Sequence, residues 1–184
     1  STEKKREILK VKDNFFFYFK RLFRLFIITF ILFMGYIFFL TISPVYLTDI
    51  AGSSNRMGWI VLCSGLIHAI TAPYAGNLID KYPRETAIRI ASAFVIFSML
   101  AYSFTVNLYV ITLVFTIPIY MTFFLGARTI VADVVPYDLR ARMMGLLSSF
   151  SLLGSGLGSL IVGELLLNYD EQQVFLFGAL IASI

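Results

Sequence analysis

The chain has 184 residues, of which 59% are hydrophobic and only 14% charged, and its mean hydropathy is +0.84. Soluble domains are about 45–50% apolar and about 25% charged, so the composition excludes an ordinary soluble domain and indicates an integral membrane protein. The lone Cys63 excludes an internal disulfide and a cysteine-built metal site. The net charge of +4 does not predict nucleic-acid binding, because the basic residues cluster beside apolar runs.

The first 24 residues form a basic and aromatic segment. Eight of the 15 lysines and arginines of the chain lie here, and residues 15–19 are five consecutive aromatic side chains. We interpret residues 1–24 as a cytoplasmic linker that becomes an interfacial helix. Its aromatic side chains would lie at the lipid headgroups and its bases on anionic lipid.

Five apolar runs follow that are long enough to cross a bilayer as helices, which takes about 17–25 residues. The predicted spans are residues 25–47, 57–79, 90–106, 108–127 and 143–167, and a sixth run begins at residue 174. Because this last run stops at residue 184 and the chain lacks an initial methionine, we expect a fragment. Pro73 and Pro118 lie inside spans, where proline leaves the carbonyls of Ala69 and Val114 without their usual donors. The expected fold is all-α, a polytopic membrane helix bundle.

Basic residues occur in alternate connections between the spans. The positive-inside rule assigns such connections to the cytoplasm, which predicts a cytoplasmic N-terminus for this segment. Beyond the first 24 residues, the basic connections carry Lys81, Arg84, Arg89, Arg140 and Arg142. The opposite side carries Arg56 together with Asp49, Asp170 and Glu171.

A short charged connection joins the second and third predicted spans. It contains a Gly-x-Leu-x-Asp-Lys-x-x-Arg pattern made by Gly76, Leu78, Asp80, Lys81 and Arg84. The glycine permits a close approach of two helices, and the charged groups would lie where the membrane meets water. This pattern resembles the signature loop of the major facilitator superfamily (MFS) of transporters.

A second pattern precedes the fifth predicted span. It is Asp-x-x-Pro-x-x-x-Arg-x-Arg-x-x-Gly, formed by Asp133, Pro136, Arg140, Arg142 and Gly145. It resembles the MFS loop between the fourth and fifth helices of a half. In that family the signature-loop carboxylate docks near the start of the fifth helix, which implies a contact of Asp80 with residues 142–145. The positive-inside rule alone would also account for the bases, but two patterns in the right order favour the family.

The fifth predicted span is rich in glycine. Gly154 and Gly158 are four residues apart, a spacing that permits close helix packing. Residues 154–159 resemble the glycine-rich fifth helix of an MFS half, with Ser159 in place of the proline of antiporters, so antiport is not implied. An MFS half has six helices, and the basic entry segment resembles the linker before the seventh helix. N-terminal halves of MFS proteins often have an arginine near the middle of the fourth span, whereas the only base of this span, Arg128, is at its cytoplasmic end. We therefore expect the C-terminal half, with five full spans and the start of a sixth.

Three polar side chains lie near the middle of predicted spans: Tyr36, His68 and Tyr120. Ionisable groups inside a membrane are costly, so they are candidates for function by default. We consider the three residues candidates for a substrate pathway. Packing remains the alternative, since one or two hydrogen bonds accommodate a neutral histidine and lone aromatic residues are more often packing residues.

The resemblance implies half of a secondary transporter that moves a small solute across the cell membrane by alternating access, with substrate bound between the two halves. The expected partners are the lipid bilayer, the other half of the same chain, and a small-molecule substrate with or without coupled H+ or Na+. Nucleic acid, cofactors and metals are not expected. Two alternatives stay open, a non-transporting membrane sensor or scaffold of the same fold and a membrane-embedded enzyme. The enzyme is disfavoured because the sequence has one histidine and no nucleophile–base pair.

The loop charges generate a prediction about topology. Lys81→Cys and Glu171→Cys, each in a Cys63→Ser background of the complete protein, would be treated with an impermeant thiol reagent in intact cells. We expect labelling at position 171, and labelling at position 81 only after permeabilisation, because positive loops remain in the cytoplasm. The reverse pattern would refute the orientation.

Overall fold

The computed structural model describes the backbone of residues 2–117 and 119–183, and it describes their side chains except at 2–14, 75, 78–80, 84, 87 and 119–122. These residues form helices joined by short connections, without a strand in the described ranges. The expected all-α fold is therefore confirmed. The helices are α1 (Thr2–Ala51), α2 (Ser54–Lys81), α3 (Arg84–Phe104), α4 (Leu108–Thr116), α5 (Ile119–Val134), α6 (Tyr137–Leu166) and α7 (Glu171–Ala182).

The first helix, α1, runs without a break from the basic segment through the first predicted span. The boundary drawn at residue 24 therefore does not correspond to a change in backbone structure. Helix α1 ends at Ala51, and the next residue, Gly52, has a φ of +71°, which suits a glycine just after a helix C-terminus. The Gly52 N–H donates to the carbonyl of Thr48 at 3.0 Å, and the Arg56 guanidinium donates to the carbonyl of Ala51 at 3.3 Å.

The fourth predicted span, residues 108–127, is two helices rather than one. Helix α4 ends at Thr116, and Ile117 has an extended conformation with φ −80° and ψ 116°. A residue that precedes proline is driven out of the helical region by the proline ring, which explains the break. The carbonyl of Val114, expected to lack a donor, accepts the Ile117 N–H at 3.3 Å. Pro73, in contrast, lies inside a continuous α2.

Three segments of the described helices are long and apolar enough to cross a membrane: Phe15–Ala51, Ser54–Tyr74 and Tyr137–Leu166. Two shorter apolar helical segments, Ile88–Phe104 and Glu171–Ala182, accompany them. Together they agree with a multi-pass helix bundle embedded in a membrane. The predicted fifth span began at residue 143, but α6 already begins at Tyr137, directly after Pro136.

Helix α1 is the central element of the packing. It lies along α6 and α7, while α3 packs against α5 and α7. Buried apolar side chains form two clusters along α1, one near its middle and one near its C-terminal end. The cluster around Phe26 includes residues of α3, α5 and α6, and the cluster around Phe38 and Tyr46 includes residues of α2, α3, α4, α6 and α7.

Gly154 and Gly158 of α6 face α1 at very short range. A methyl group on Gly154 would overlap the backbone carbonyl of Phe30, and one on Gly158 would lie 2.5 Å from the carbonyl oxygen of Met34. Gly35 of α1 makes a similar contact with α7. Close backbone contact of this kind is a main source of helix association in lipid, so these glycines set the position of α1.

We predict that Gly158→Ala lowers the free energy of unfolding by about 1–3 kcal/mol, because the new methyl group would force α1 and α6 apart. Gly156→Ala is the matched control, since a Cβ at Gly156 meets no described atom within 4 Å. Thermal melting of the detergent-purified protein measures both. Equal melting temperatures for the two variants would contradict the close-contact interpretation.

Candidate functional site: two cavities that meet at Tyr36

Tyr36 and His68 line the same cavity, which has a volume of about 200 Å³ and lies between α1, α2, α3 and α4. Ser64 and Ser98 add hydroxyl groups to a wall that is otherwise mostly apolar. The cavity borders on Ile117, the residue at which the fourth predicted span is interrupted. The structure thus brings two of the three candidate pathway residues together beside irregular backbone.

The hydroxyl groups of this small cavity are directed by hydrogen bonds. Thr116 Oγ1 donates to the carbonyl of Thr112 at 2.8 Å, so the proton in its 3.0 Å contact with Ser64 must come from the Ser64 hydroxyl. Ser98 Oγ donates to the carbonyl of Phe94 at 2.8 Å. The Ser64–Thr116 bond ties α2 to the end of α4 and leaves oxygen lone pairs as the remaining bonding capacity of these two hydroxyls.

A second and larger cavity, of about 520 Å³, lies between α1, α2, α3 and α5. It shares Tyr36 and Val95 with the small cavity, so the two cavities adjoin at Tyr36 of α1. Drug-sized ligands bind in pockets of about 300–1,000 Å³ with mainly apolar walls. The larger cavity falls within this range.

Aromatic rings of α1 line both cavities. Phe33, Tyr36 and Phe39 are spaced three residues apart, which places them along one side of the helix. The ring centroids of Phe33 and Tyr36 are 6.2 Å apart, as are those of Tyr36 and Phe39. The row continues at one end to Phe124 and at the other to Tyr102, at centroid distances of 5.9 and 5.1 Å.

Beyond Tyr102 lies a cluster of packed aromatic side chains, in which the Tyr46 hydroxyl both donates and accepts a hydrogen bond. The rings of Tyr102 and Phe175 lie 4.9 Å apart, and Tyr46 packs against both. The Tyr46 hydroxyl donates to the carbonyl of Thr105 at 3.0 Å and accepts from Gln172 Nε2 at 3.0 Å. This end of the molecule therefore joins α1, the α3–α4 connection and α7.

Comparison with known proteins places the chain in a family. Residues 25–184 match the sequence profile of the Major Facilitator Superfamily. The chain belongs to the Major Facilitator Superfamily. It is also 29% identical over 147 residues to the quinolone resistance protein NorA of Staphylococcus aureus strain MRSA252, and 28% identical to the NorA proteins of strains Mu50 and N315. Each match covers 76% of this chain and 37% of the relative, so the chain spans little more than a third of the length of these curated relatives.

The MFS signature-loop residues lie at the end of α2 and the start of α3. Lys81 is exposed, whereas the side chains of Leu78, Asp80 and Arg84 lie outside the described ones, as does that of Tyr120. A Cβ on Gly76 meets no described atom within 4 Å, so the close helix approach expected at this glycine is not found among the described residues. Nor are α2 and α6 neighbours in the described part of the chain. The docking of Asp80 at residues 142–145 stays a prediction.

The second MFS loop lies between α5 and α6. Pro136 directly precedes α6 and Arg142 is exposed, and a Cβ on Gly145 would meet no described atom within 4 Å. Arg140 donates to the carbonyl of Val135 at 3.5 Å and lies 6.0 Å from the ring centroid of Tyr137. These contacts are local and hold the turn between the two helices. Asp133 is exposed near the end of α5.

Arg128, which was not among the site residues expected from the sequence, lines the larger cavity. Its guanidinium carbon lies 3.9 Å from the ring centroid of Phe124, a cation–π contact. The available signal was the spacing of Phe124 and Arg128, because residues four apart on a helix are neighbours on its surface. Only the observed course of α5 shows that this surface faces a cavity.

We predict that His68→Ala weakens the apparent affinity for the transported solute in uptake by the complete protein without lowering its melting temperature. His68 is only partly buried and lines the small cavity, so the substitution removes a polar group from the cavity wall. Ile70→Ala, at an exposed site on the same helix, controls for general effects on α2. A lower melting temperature with an unchanged solute affinity would make His68 a packing residue.

Proposed function

We propose that this chain forms the C-terminal six-helix half of a secondary transporter, which moves a small solute across the cell membrane by alternating access. In this proposal the N-terminal end of α1 lies in the cytoplasm, and the other half of the protein supplies the opposite wall of the binding site. Coupling to H+ or Na+ is left open. Membership in the Major Facilitator Superfamily supports the proposal.

The observation that carries the proposal is the pair of cavities that adjoin at Tyr36. Tyr36 lies near the middle of a membrane span, and the cavities extend from it toward α4 on one side and α5 on the other. Irregular backbone at membrane depth is tolerated where it is buried in protein or lines a cavity. The interruption at Ile117 meets this condition because Ile117 lines the small cavity.

The size and walls of the larger cavity support an aromatic solute of drug size. Planar rings would pack between Phe33, Phe123 and Phe124, all of which line this cavity. The relatives with 28–29% identity are quinolone resistance proteins, and quinolones are planar aromatic molecules. We therefore propose planar aromatic compounds as the substrates to examine first.

The two MFS loops supply a candidate gate. In the proposed mechanism Asp80 binds near Arg142 at the start of α6 when the cytoplasmic side is closed, and it separates when that side opens. A charge-assisted hydrogen bond contributes about 1.5–3 kcal/mol, and 1.4 kcal/mol already shifts an equilibrium between two access states about tenfold.

Uptake by the complete protein tests the proposal. Inside-out vesicles would be given a fluorescent quinolone and an imposed H+ or Na+ gradient, with empty vesicles as control. We expect accumulation above that control, and we expect Asp80→Asn to reduce it and to raise thiol labelling from the cytoplasmic side. A folded protein that moves no solute under either gradient would favour the non-transporting sensor or scaffold. Unchanged uptake and unchanged labelling in Asp80→Asn would refute the gate.

A further inference from the structure

Arg128 is the one charged side chain among the described residues that line the larger cavity. It comes from α5 nine residues after Ile119, the first residue of that helix. The remaining wall is aromatic and aliphatic apart from the hydroxyl groups of Tyr36 and Ser92. Among the described lining residues, Arg128 is therefore the group that would distinguish an anionic ligand from a neutral one.

The geometry of Arg128 leaves its hydrogen-bonding edge available. The guanidinium carbon lies over the Phe124 ring at 3.9 Å from its centroid, and the five N–H donors of a guanidinium group point outward in its plane. Among the described residues no carboxylate forms an ion pair with Arg128, whereas the exposed Arg89 has Glu85 at 3.9 Å. The side chain of Arg128 is itself exposed to solvent in this chain.

A simpler interpretation is that Arg128 is a positive-inside residue that extends toward water. An arginine in that role directs its guanidinium group away from the apolar region. Here the group lies over a ring that itself lines the cavity. Its position therefore fits recognition of a ligand better than anchoring in the headgroup layer.

We propose that Arg128 is the anion-recognition residue of the larger cavity, and that this cavity takes a planar aromatic solute carrying one carboxylate. The carboxylate would accept two parallel N–H bonds from the guanidinium edge, and the ring system would lie against Phe33 and Phe123. Binding of this solute at Arg128 does not depend on the proposed function, whereas its transport across the membrane does.

Binding of a matched pair of probes tests the assignment. Radiolabelled 2-naphthoate and uncharged 2-naphthylmethanol share the ring system and differ in charge. Equilibrium dialysis on the complete detergent-purified protein would compare the wild type with Arg128→Gln, Arg128→Lys and the exposed control Arg89→Gln. Melting temperatures of all four proteins would establish that they are folded.

We expect Arg128→Gln to weaken 2-naphthoate binding about tenfold or more, as the loss of a charge-assisted pair requires, and to change 2-naphthylmethanol binding less than about twofold. Arg128→Lys should fall in between, because lysine keeps the charge but lacks the planar fork. Arg89→Gln should match the wild type. If Arg128→Gln does not fold, the comparison of the two probes in Arg128→Lys replaces it, with a selective loss of naphthoate binding expected.

The assignment would be overturned if Arg128→Gln weakened the binding of both probes equally, or of neither, because binding would then not depend on the charge of the probe. Weak naphthoate binding in Arg89→Gln as well would overturn it, because the effect would then be a general one of surface charge. Arg128-dependent naphthoate binding by a protein that transports no solute would refute the proposed function and leave the site standing. If the protein transports solute but Arg128→Gln affects both probes equally or neither, the anion site is refuted and the proposed function is not.

Discussion

The contact of α1 with α6 through Gly154 and Gly158 is the constraint on which the rest of the bundle depends. Lipid tails are as apolar as leucine side chains, so hydrophobic burial does not hold membrane helices together and close packing must. With the backbone of α6 against Phe30 and Met34, the rotation of α1 about its own axis is fixed. By the 3.6-residue period of the helix, Phe33 then lies about a quarter turn and Tyr36 about four tenths of a turn away from the α6 contact. Both residues line the cavities instead.

The helix interruption at Ile117 costs backbone hydrogen bonds, and its place beside a cavity and a neighbouring helix compensates for part of this cost. Proline removes a backbone donor and excludes the preceding residue from the helix, and an unpaired backbone group in hydrocarbon costs several kcal/mol. In this bundle Ile117 recovers one bond by donating to Val114, and Thr116 is bound by Ser64 of α2. The irregular backbone is thereby anchored to a neighbouring helix at the wall of a cavity, where departures from helical geometry are tolerated.

How far the sequence predicts this structure depends on whether a feature is local. The lengths of the apolar runs were enough to predict the all-α membrane fold, and the two charged loops were enough to predict the family. Both features depend on residues that are close together in the sequence. The spacing of Gly154 and Gly158 indicated a close helix contact but not its partner. The single helix formed by residues 2–51 was not foreseen, since the change from basic to apolar composition at residue 24 is a change of surroundings and not of backbone preference.

The cavities were beyond the sequence because they are made by side chains from four helices that meet only in the folded bundle. His68 and Tyr36 are 32 residues apart in the chain, and their shared cavity depends on how α2 leans on α1 and α4. A proline inside an apolar run also has two outcomes that the sequence alone does not separate. Pro73 is accommodated within α2, while the backbone leaves the helix directly before Pro118.

Three arginines show how the bundle satisfies a guanidinium group in different surroundings. Arg56 donates to the last carbonyl of α1, where the helix dipole is negative, and Arg89 lies beside Glu85 in water. Arg128 has an aromatic face instead, and a cation–π contact contributes only about 0.5–2 kcal/mol. Arg128 is exposed and has no carboxylate partner among the described residues. Of the three positions, Arg128 is therefore the one at which an incoming carboxylate would gain most.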